Sequence, residues 1–350
     1  LGLQNILNVQ PKIVSVAEDM IIDEQDIINT YDERQQEQCR LYYQYLELKS
    51  QNPIWGYKRI AKAMGQNIGK TRWWHASKHI PVPIQTANWL KERGLLPLKV
   101  DNPKISLIAK ILGATFGDGG IFENFNAIFL SSSNIKDTEE FSKDLQKIFG
   151  NDAILNAELR EGGEFGHSWC MSNTNRNIIR FFVALGAPIG NKSIKELKIP
   201  NWITLDEMFE DEFYGSLFGG ELGVSIYNRF PRIEFAITGR NHLEENRMQL
   251  LNQIIDYLYE KSIQITKRNI DISNVTTKKG HKDNRRYRFI LAQYPQNIQN
   301  FVEKIKINYC NLKKYKLQMA LDRDMKDKLL KYLDLRAQGL GAESIMKRLQ

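Results

Sequence analysis

The apolar positions of this 350-residue chain change period several times along its length. Over 32–50, Leu41, Tyr45 and Leu48 recur at helical spacing, which predicts one helix closed by Asn52-Pro53. Ile60, Ala61 and Met64 predict a short helix between Gly56 and Gly65; a polar turn and a second helix over 71–79 follow. Pro81-Val-Pro83 breaks the pattern, and 86–94 reads as one more helix. Beyond residue 100, Asn102 and Pro103 suit a helix start, and the run that follows is apolar on more than one face, so that helix must be buried. Next come a strand over 127–131, a helix over 138–149, strands over 154–160 and 168–172, and a helix over 175–185. The same order then repeats: an apolar helix from Glu212, strands over 224–227 and 232–237, a helix over 242–260, alternating stretches over 262–266 and 286–293, and a helix over 296–307. Such recurrence predicts an internal duplication. It divides the chain into 1–100, 101–205, 206–316 and 317–350.

The pair of short helices around Gly65 has the layout of a helix-turn-helix, whose second helix would lie in a DNA major groove. Arg72, Trp73, His75 and Lys78 form its expected outward set, and Arg72, His75 and Lys78 are the candidate DNA contacts. At the other end, two helices around Gly339 and Gly341 look like the opening of a further helix-turn-helix.

Composition narrows the class. Hydrophobic residues are 42% and charged residues 26%, as in globular proteins. Cys39, Cys170 and Cys310 stand far apart, so neither a disulfide framework nor a thiolate zinc site is expected. With no long apolar run and no secretion signal, an intracellular, cytoplasmic and nucleoid-associated protein without a membrane partner is expected. The net charge of +8 is modest until it is located. Residues 261–290 hold nine basic side chains against two acids: Lys261, Lys267, Arg268, Lys278, Lys279, Lys282, Arg285, Arg286 and Arg288 against Asp271 and Asp283. Flanked by alternating stretches, this segment predicts a basic two-stranded ribbon able to enter a major groove and neutralise phosphates. Arg232 lies on the neighbouring predicted strand.

Each buried helix ends in an acid. The first is Ile111-Leu-Gly-Ala-Thr-Phe-Gly-Asp-Gly119, ending on Asp118, and the second is Tyr214-Gly-Ser-Leu-Phe-Gly-Gly-Glu-Leu222, ending on Glu221, 103 residues later. A carboxylate at a helix C-terminus opposes the macrodipole, which argues that it has a task. With both motifs, and with Leu185-Gly-Ala-Pro-Ile-Gly-Asn-Lys-Ser193 followed by Ile199-Pro-Asn-Trp-Ile203 between them, residues 103–316 resemble the single-chain, two-repeat, archaeal-type LAGLIDADG homing endonucleases. The second motif departs from the pattern at Ser216 and Leu222, where glycines are usual.

The resemblance implies an α+β fold in which two αββαββα repeats form a saddle, flanked here by the all-α helix-turn-helix-like domain and a short helical extension. It implies a monomer with pseudo-twofold symmetry that hydrolyses phosphodiester bonds of double-stranded DNA at a long, asymmetric target. Asp118 and Glu221 would then be catalytic and would hold Mg²⁺ or Mn²⁺. Such enzymes usually add basic or amide groups near the acids; Ser131, Ser132 and Asn134 in the first repeat and Arg240 in the second are the accessory candidates, and the first repeat offers no strand lysine. Two other readings use the same fold: a DNA-binding transcriptional regulator with an impaired site, and an intron maturase that binds structured RNA. An intein origin is not expected, because the ends lack a splicing-junction Cys, Ser or Thr.

Overall fold

The computed structural model describes residues 19–76, 79–162, 167–227, 230–266, 270–275, 283–321, 326–341, 344–345 and 348. Strand β1 (Met20–Ile22) leads into α1 (Glu24–Asn29), whose start is fixed by an Asp23–Asp26 capping box. Helices α2 (Glu33–Gln51), α3 (Tyr57–Met64), α4 (Ile68–His75) and α5 (Val82–Lys91) complete the N-terminal region. Between α3 and α4, Gly65 takes a left-handed conformation at φ 63° and Asn67 caps α4. Two short helices joined by a tight turn thus stand near the predicted places, with α4 beginning at Ile68 rather than at residue 71. Pro83 lies in the first turn of α5, where a missing N–H costs nothing, so the prolines start that helix four residues before the predicted onset.

Strand β2 (Leu98–Lys99) pairs with β1. This region shares the main core: Ile27, Tyr31, Ala87 and Leu90 belong to it, and Trp89 stacks on Phe149 with ring centroids 5.9 Å apart. The Tyr31 hydroxyl and Thr86 Oγ1 lie 2.7 Å apart, and Thr86 Oγ1 donates to Asn177 Oδ1 at 2.7 Å. Packing thus crosses residue 100 without a break. A second, smaller cluster around Tyr42, Tyr45, Ile60 and Trp74 holds α2 to α4 together.

The duplication is explicit in the topology. Helix α6 (Ile105–Phe116) is followed by β3 (Gly119–Ile121), β4 (Ile128–Ser132), α7 (Ile135–Phe149), the short α8 (Asn151–Leu155), β5 (Ala157–Glu161), β6 (Trp169–Asn173) and α9 (Arg176–Ala184). Helix α10 (Glu207–Glu221) is followed by β7 (Leu222–Tyr227), β8 (Phe230–Arg240), α11 (Glu244–Glu260), β9 (Asp271–Val275), β10 (Asn284–Ile290) and α12 (Pro295–Lys304). The sheets have the same antiparallel order, β3-β4-β6-β5 and β7-β8-β10-β9. This is the expected α+β fold of two αββαββα repeats around α6 and α10. Helices α13 (Asn311–Leu321) and α14 (Lys326–Ala337) follow, with Met319, Tyr332 and Ile345 packed together.

Other predicted boundaries move as well: the strand expected over 154–160 begins only at Ala157, because Asn151–Leu155 closes into α8. Helix α6 begins at Ile105, because Asn102 and Pro103 form a turn in which Asn102 Oδ1 accepts from the Lys104 amide at 3.0 Å. The ribbon's outer strand is β9, not 262–266: Ile263 and Ile265 are both buried, and only Ile265 bridges to Leu291. Two apolar anchors mimic strand alternation without forming a ladder.

Candidate active site

The site begins with glycine. A Cβ on Gly113 would stand 2.1 Å from the Phe213 carbonyl oxygen, and one on Gly220 would stand 2.6 Å from the Asp118 nitrogen and 2.7 Å from Gly117 Cα. Helices α6 and α10 thus touch backbone to backbone at their C-terminal ends, with Phe116 edge-on to Phe213 at 5.2 Å. Not every small residue serves that contact. A Cβ on Gly215 or Gly219 would meet the carbonyl oxygens of Lys306 and Asn308, so these two receive the returning chain after α12 rather than α6.

Because the helix ends meet, Asp118, exposed just beyond α6, and Glu221, half-buried as the last residue of α10, are brought together. The protein packed around Asp118 displaces water and raises its pKa, opposed by Lys313 and Lys192. Burial likewise lifts Glu221 to about 7; Lys192 and Lys313 oppose this, and the like charge of Asp118 adds to it.

Those two lysines are functional candidates that the periodicity and motifs do not single out. Lys192 Nζ donates to the carbonyls of Thr115 at 3.2 Å, Phe116 at 3.3 Å and Gly119 at 2.9 Å, and also to Gly117. Lys313 Nζ donates to the Gly219 carbonyl at 2.6 Å and to that of Gly220. Each ammonium satisfies carbonyls left open at the end of an acid-tipped helix, where the dipole is negative. Burial pushes the Lys192 ammonium down, while Glu221 and Asp118 favour its charge. Lys192 stands in the phrase Leu185–Ser193 between the repeats, but that phrase gives no sign that its side chain reaches residues 115–119. In place of the missing strand lysine of the first repeat, Lys192 comes to the site from the segment after α9.

The accessory candidates separate. Ser132 Oγ donates to Asp137 Oδ2 at 2.7 Å and Asn134 caps α7, so both are engaged locally, whereas Ser131 alternates to the open face of the first sheet. Arg240 lies 3.8 Å from Asp283 at the end of β8. On the second sheet, Arg232, Arg286 and Arg288 share one face with Glu234, at 3.2, 2.7 and 3.9 Å from its carboxylate. Arg285 has the opposite parity and pairs with Glu244 of α11, which removes it from that face. On α4, Arg72 is exposed, but His75 turns inward, with Nδ1 3.2 Å from the Tyr45 hydroxyl. Trp73 is 56% exposed and Trp74 is buried. Lys78, Lys267, Arg268, Lys278, Lys279 and Lys282 lie outside the described residues.

The donor set suits a hard divalent cation. Two carboxylates converge while the nearby carbonyls are already taken by ammonium groups, and Mg²⁺ commonly uses one or two carboxylates with waters and phosphate oxygens. Among the described residues no group of three His, Cys, Asp or Glu converges, which limits the protein's share of the ligands. None of the cysteines is paired, and among the described residues no helix is long and apolar enough to cross a membrane.

No protein-family model matches the chain. It is 30% identical over 258 residues to the tRNA-splicing ligase RtcB of Pyrococcus abyssi, covering 71% of this chain and 27% of that protein. It is 26% identical over 270 residues to the DNA-directed RNA polymerase subunit Rpo1N of Methanocaldococcus jannaschii, covering 71% and 20%. Against the replication factor C small subunit of the same organism, identity is 25% over 225 residues, covering 61% and 12%. The chain spans about a quarter or less of the length of these relatives. Among solved structures, it is similar to mesophilic variants of the homing endonuclease I-DmoI, with TM-score 0.38, 13% identity, and coverage of 62% of this chain and 99% of that one. It is also similar to the N-terminal LAGLIDADG domain of WhiA, with TM-score 0.33, 12% identity, and coverage of 64% and 92%.

Proposed function

We propose that this chain is a site-specific endonuclease module that hydrolyses phosphodiester bonds in double-stranded DNA with a divalent metal ion. The observation that carries the reading is the convergence of Asp118 and Glu221, from equivalent positions of two repeats, with Lys192 and Lys313 beside them. Asp118 and Glu221 would hold Mg²⁺ or Mn²⁺, which supplies Lewis acidity at the phosphate. The two carboxylates orient the attacking water, and the lysines favour their ionised form and offset the charge of an approaching phosphodiester. The open faces of the two sheets, with Arg232, Arg286 and Arg288 on the second, would carry the duplex, and α4 would extend the contact through Arg72.

The curated relatives support a portable module. A segment similar to this chain occupies a minor share of a ligase, a polymerase subunit and a replication factor. Shared by three proteins of different activity, it cannot be what makes one of them a ligase, so ligation is not carried over here. The recurrence within longer proteins favours an embedded origin. The deciding experiment is plasmid cleavage with and without Mg²⁺. Wild-type protein cuts only with metal, and Asp118→Asn and Glu221→Gln abolish cutting while DNA binding persists. Binding without cutting by the wild type would replace this reading with that of a DNA-binding regulator, and preference for structured RNA over duplex would replace it with that of a maturase.

A further inference from the structure

Each site lysine belongs to the tail of one repeat yet is anchored by the opposite repeat. Lys192 follows α9 of the first repeat. The backbone that carries it is gripped by α11 of the second: Arg247 Nη2 donates to the carbonyls of Lys192 at 2.6 Å and Lys195 at 2.8 Å. Beside it, Asn246 Oδ1 accepts from the Leu197 amide at 3.0 Å, Asn246 Nδ2 donates back to the Leu197 carbonyl at 2.9 Å, and Arg247 Nη1 donates to Asn246 Oδ1 at 2.5 Å.

The other half has the same design with different chemistry. Lys313 follows α12 of the second repeat, and the segment before it is gripped by α7 of the first. Asp137 Oδ1 accepts from the Asn311 amide at 3.0 Å and from Asn311 Nδ2 at 2.7 Å, and Asp144 accepts from the Tyr309 hydroxyl at 2.9 Å. Helices α7 and α11 are equivalent by topology, each lying between the two strand pairs of its repeat.

Arg247 and Asp137 are both 0% exposed. Among the described residues no carboxylate lies within ion-pair distance of Arg247; its charge is spent on carbonyl oxygens of the lysine loop and on Asn246. Gly239 makes room for it, since a Cβ there would stand 2.7 Å from Arg247 Nε. Burying a guanidinium without a carboxylate partner is costly, and the hydrogen bonds to Asn246 and to the Lys192 and Lys195 carbonyls offset that cost only while this backbone stays in place.

We infer that Arg247 and Asp137 are positioning residues of a reciprocal clamp, in which the second repeat sets Lys192 at the acid pair and the first repeat sets Lys313. This inference rests on the endonuclease reading and adds that neither half of the site is complete within one repeat. The test is a pair of double-mutant cycles on single-turnover cleavage by the full chain. Arg247→Met and Lys192→Met each lower the rate about 10²-fold, the scale of a misplaced catalytic group, and the double variant is no slower than Lys192→Met alone. Arg247→Met combined with Lys313→Met multiplies the two losses. Arg247→Lys, which can still reach one carbonyl, recovers part of the rate.

The second arm does not depend on the folding of Arg247 variants. Asp137→Ala is silent in a Lys313→Met background, multiplies with Lys192→Met, and is partly rescued by Asp137→Asn, which keeps a carbonyl acceptor for the Asn311 amide. A purely architectural role predicts equal, multiplicative losses in both lysine backgrounds, and that result overturns the clamp while leaving the endonuclease standing. Wild-type protein that cuts no DNA with any divalent metal overturns both.

Discussion

Replacing Gly220 with alanine perturbs the site without touching its chemistry. The added methyl would stand 2.6 Å from the Asp118 nitrogen, 2.7 Å from Gly117 Cα and 3.0 Å from the Gly117 carbonyl carbon. Comfortable separations are about 3.5 Å, so α6 and α10 must part by about 0.8 Å at the end that holds both acids. No flexible side chain can yield, because all three obstacles are backbone. Overpacking of this kind costs about 1–3 kcal/mol, and a misplacement approaching 1 Å at reacting groups costs about 10²-fold in rate. The expected result is a melting temperature lowered by several degrees, duplex binding within a few-fold of wild type and single-turnover cleavage slowed about 10²-fold. Gly56→Ala is the control: its Cβ would meet nothing within 4 Å and its φ of −77° suits any residue. Wild-type cleavage by the Gly220→Ala protein would refute the claim that contact between the two helix ends sets the distance between Asp118 and Glu221.

Other outcomes follow from the same geometry. The metal-free protein should gain stability as pH falls from above 7 towards 4.5, because folded Glu221 binds its proton more tightly than the unfolded side chain does. The lift from 4.5 to about 7 corresponds to about 3 kcal/mol, fully felt as a cost above pH 7; melts in chelator at pH 8 and pH 5.5 measure it, and added Mg²⁺ should flatten the trend. Trp74→Ala should destabilise the N-terminal helices by about 3–5 kcal/mol, since Trp74 packs against Tyr42 and Tyr45, whereas Trp73→Ala should leave denaturation unchanged. Converting Arg286 to Gln should reduce the salt dependence of DNA binding by about 0.9 in log–log slope if it contacts one phosphate, while Arg285→Gln should not change that slope, because its side chain lies on the other face.

The features legible in the chain itself are local. The periods of 3.6 and 2 place most of α2, α7, α11 and the strands β4, β6, β7, β8 and β10, and the recurrence of acid-tipped helices exposes the duplication and the pair Asp118 and Glu221. Patterns of that kind live within a dozen residues, where backbone geometry alone decides which side chains share a face. The failures also have local causes. Ile263 and Ile265 alternate as a strand would but serve as two anchors of a loop, and His75 has the spacing of an outward residue yet turns in to meet Tyr45.

Tertiary structure decided the rest. Lys192 and Lys313 lie far along the chain from the acids they accompany, and nothing in their surroundings marks them among 49 basic residues. Only when α6 and α10 close on their glycines do their open carbonyls face the segment after α9 and the start of α13, and only then do Arg247 and Asp137 meet those segments from the opposite repeat. The sequence by itself determined the acids and the repeat, because helix ends and periodicity are short-range properties. The charge around those acids was settled by packing, since it depends on which distant backbone segments come to lie within hydrogen-bond reach.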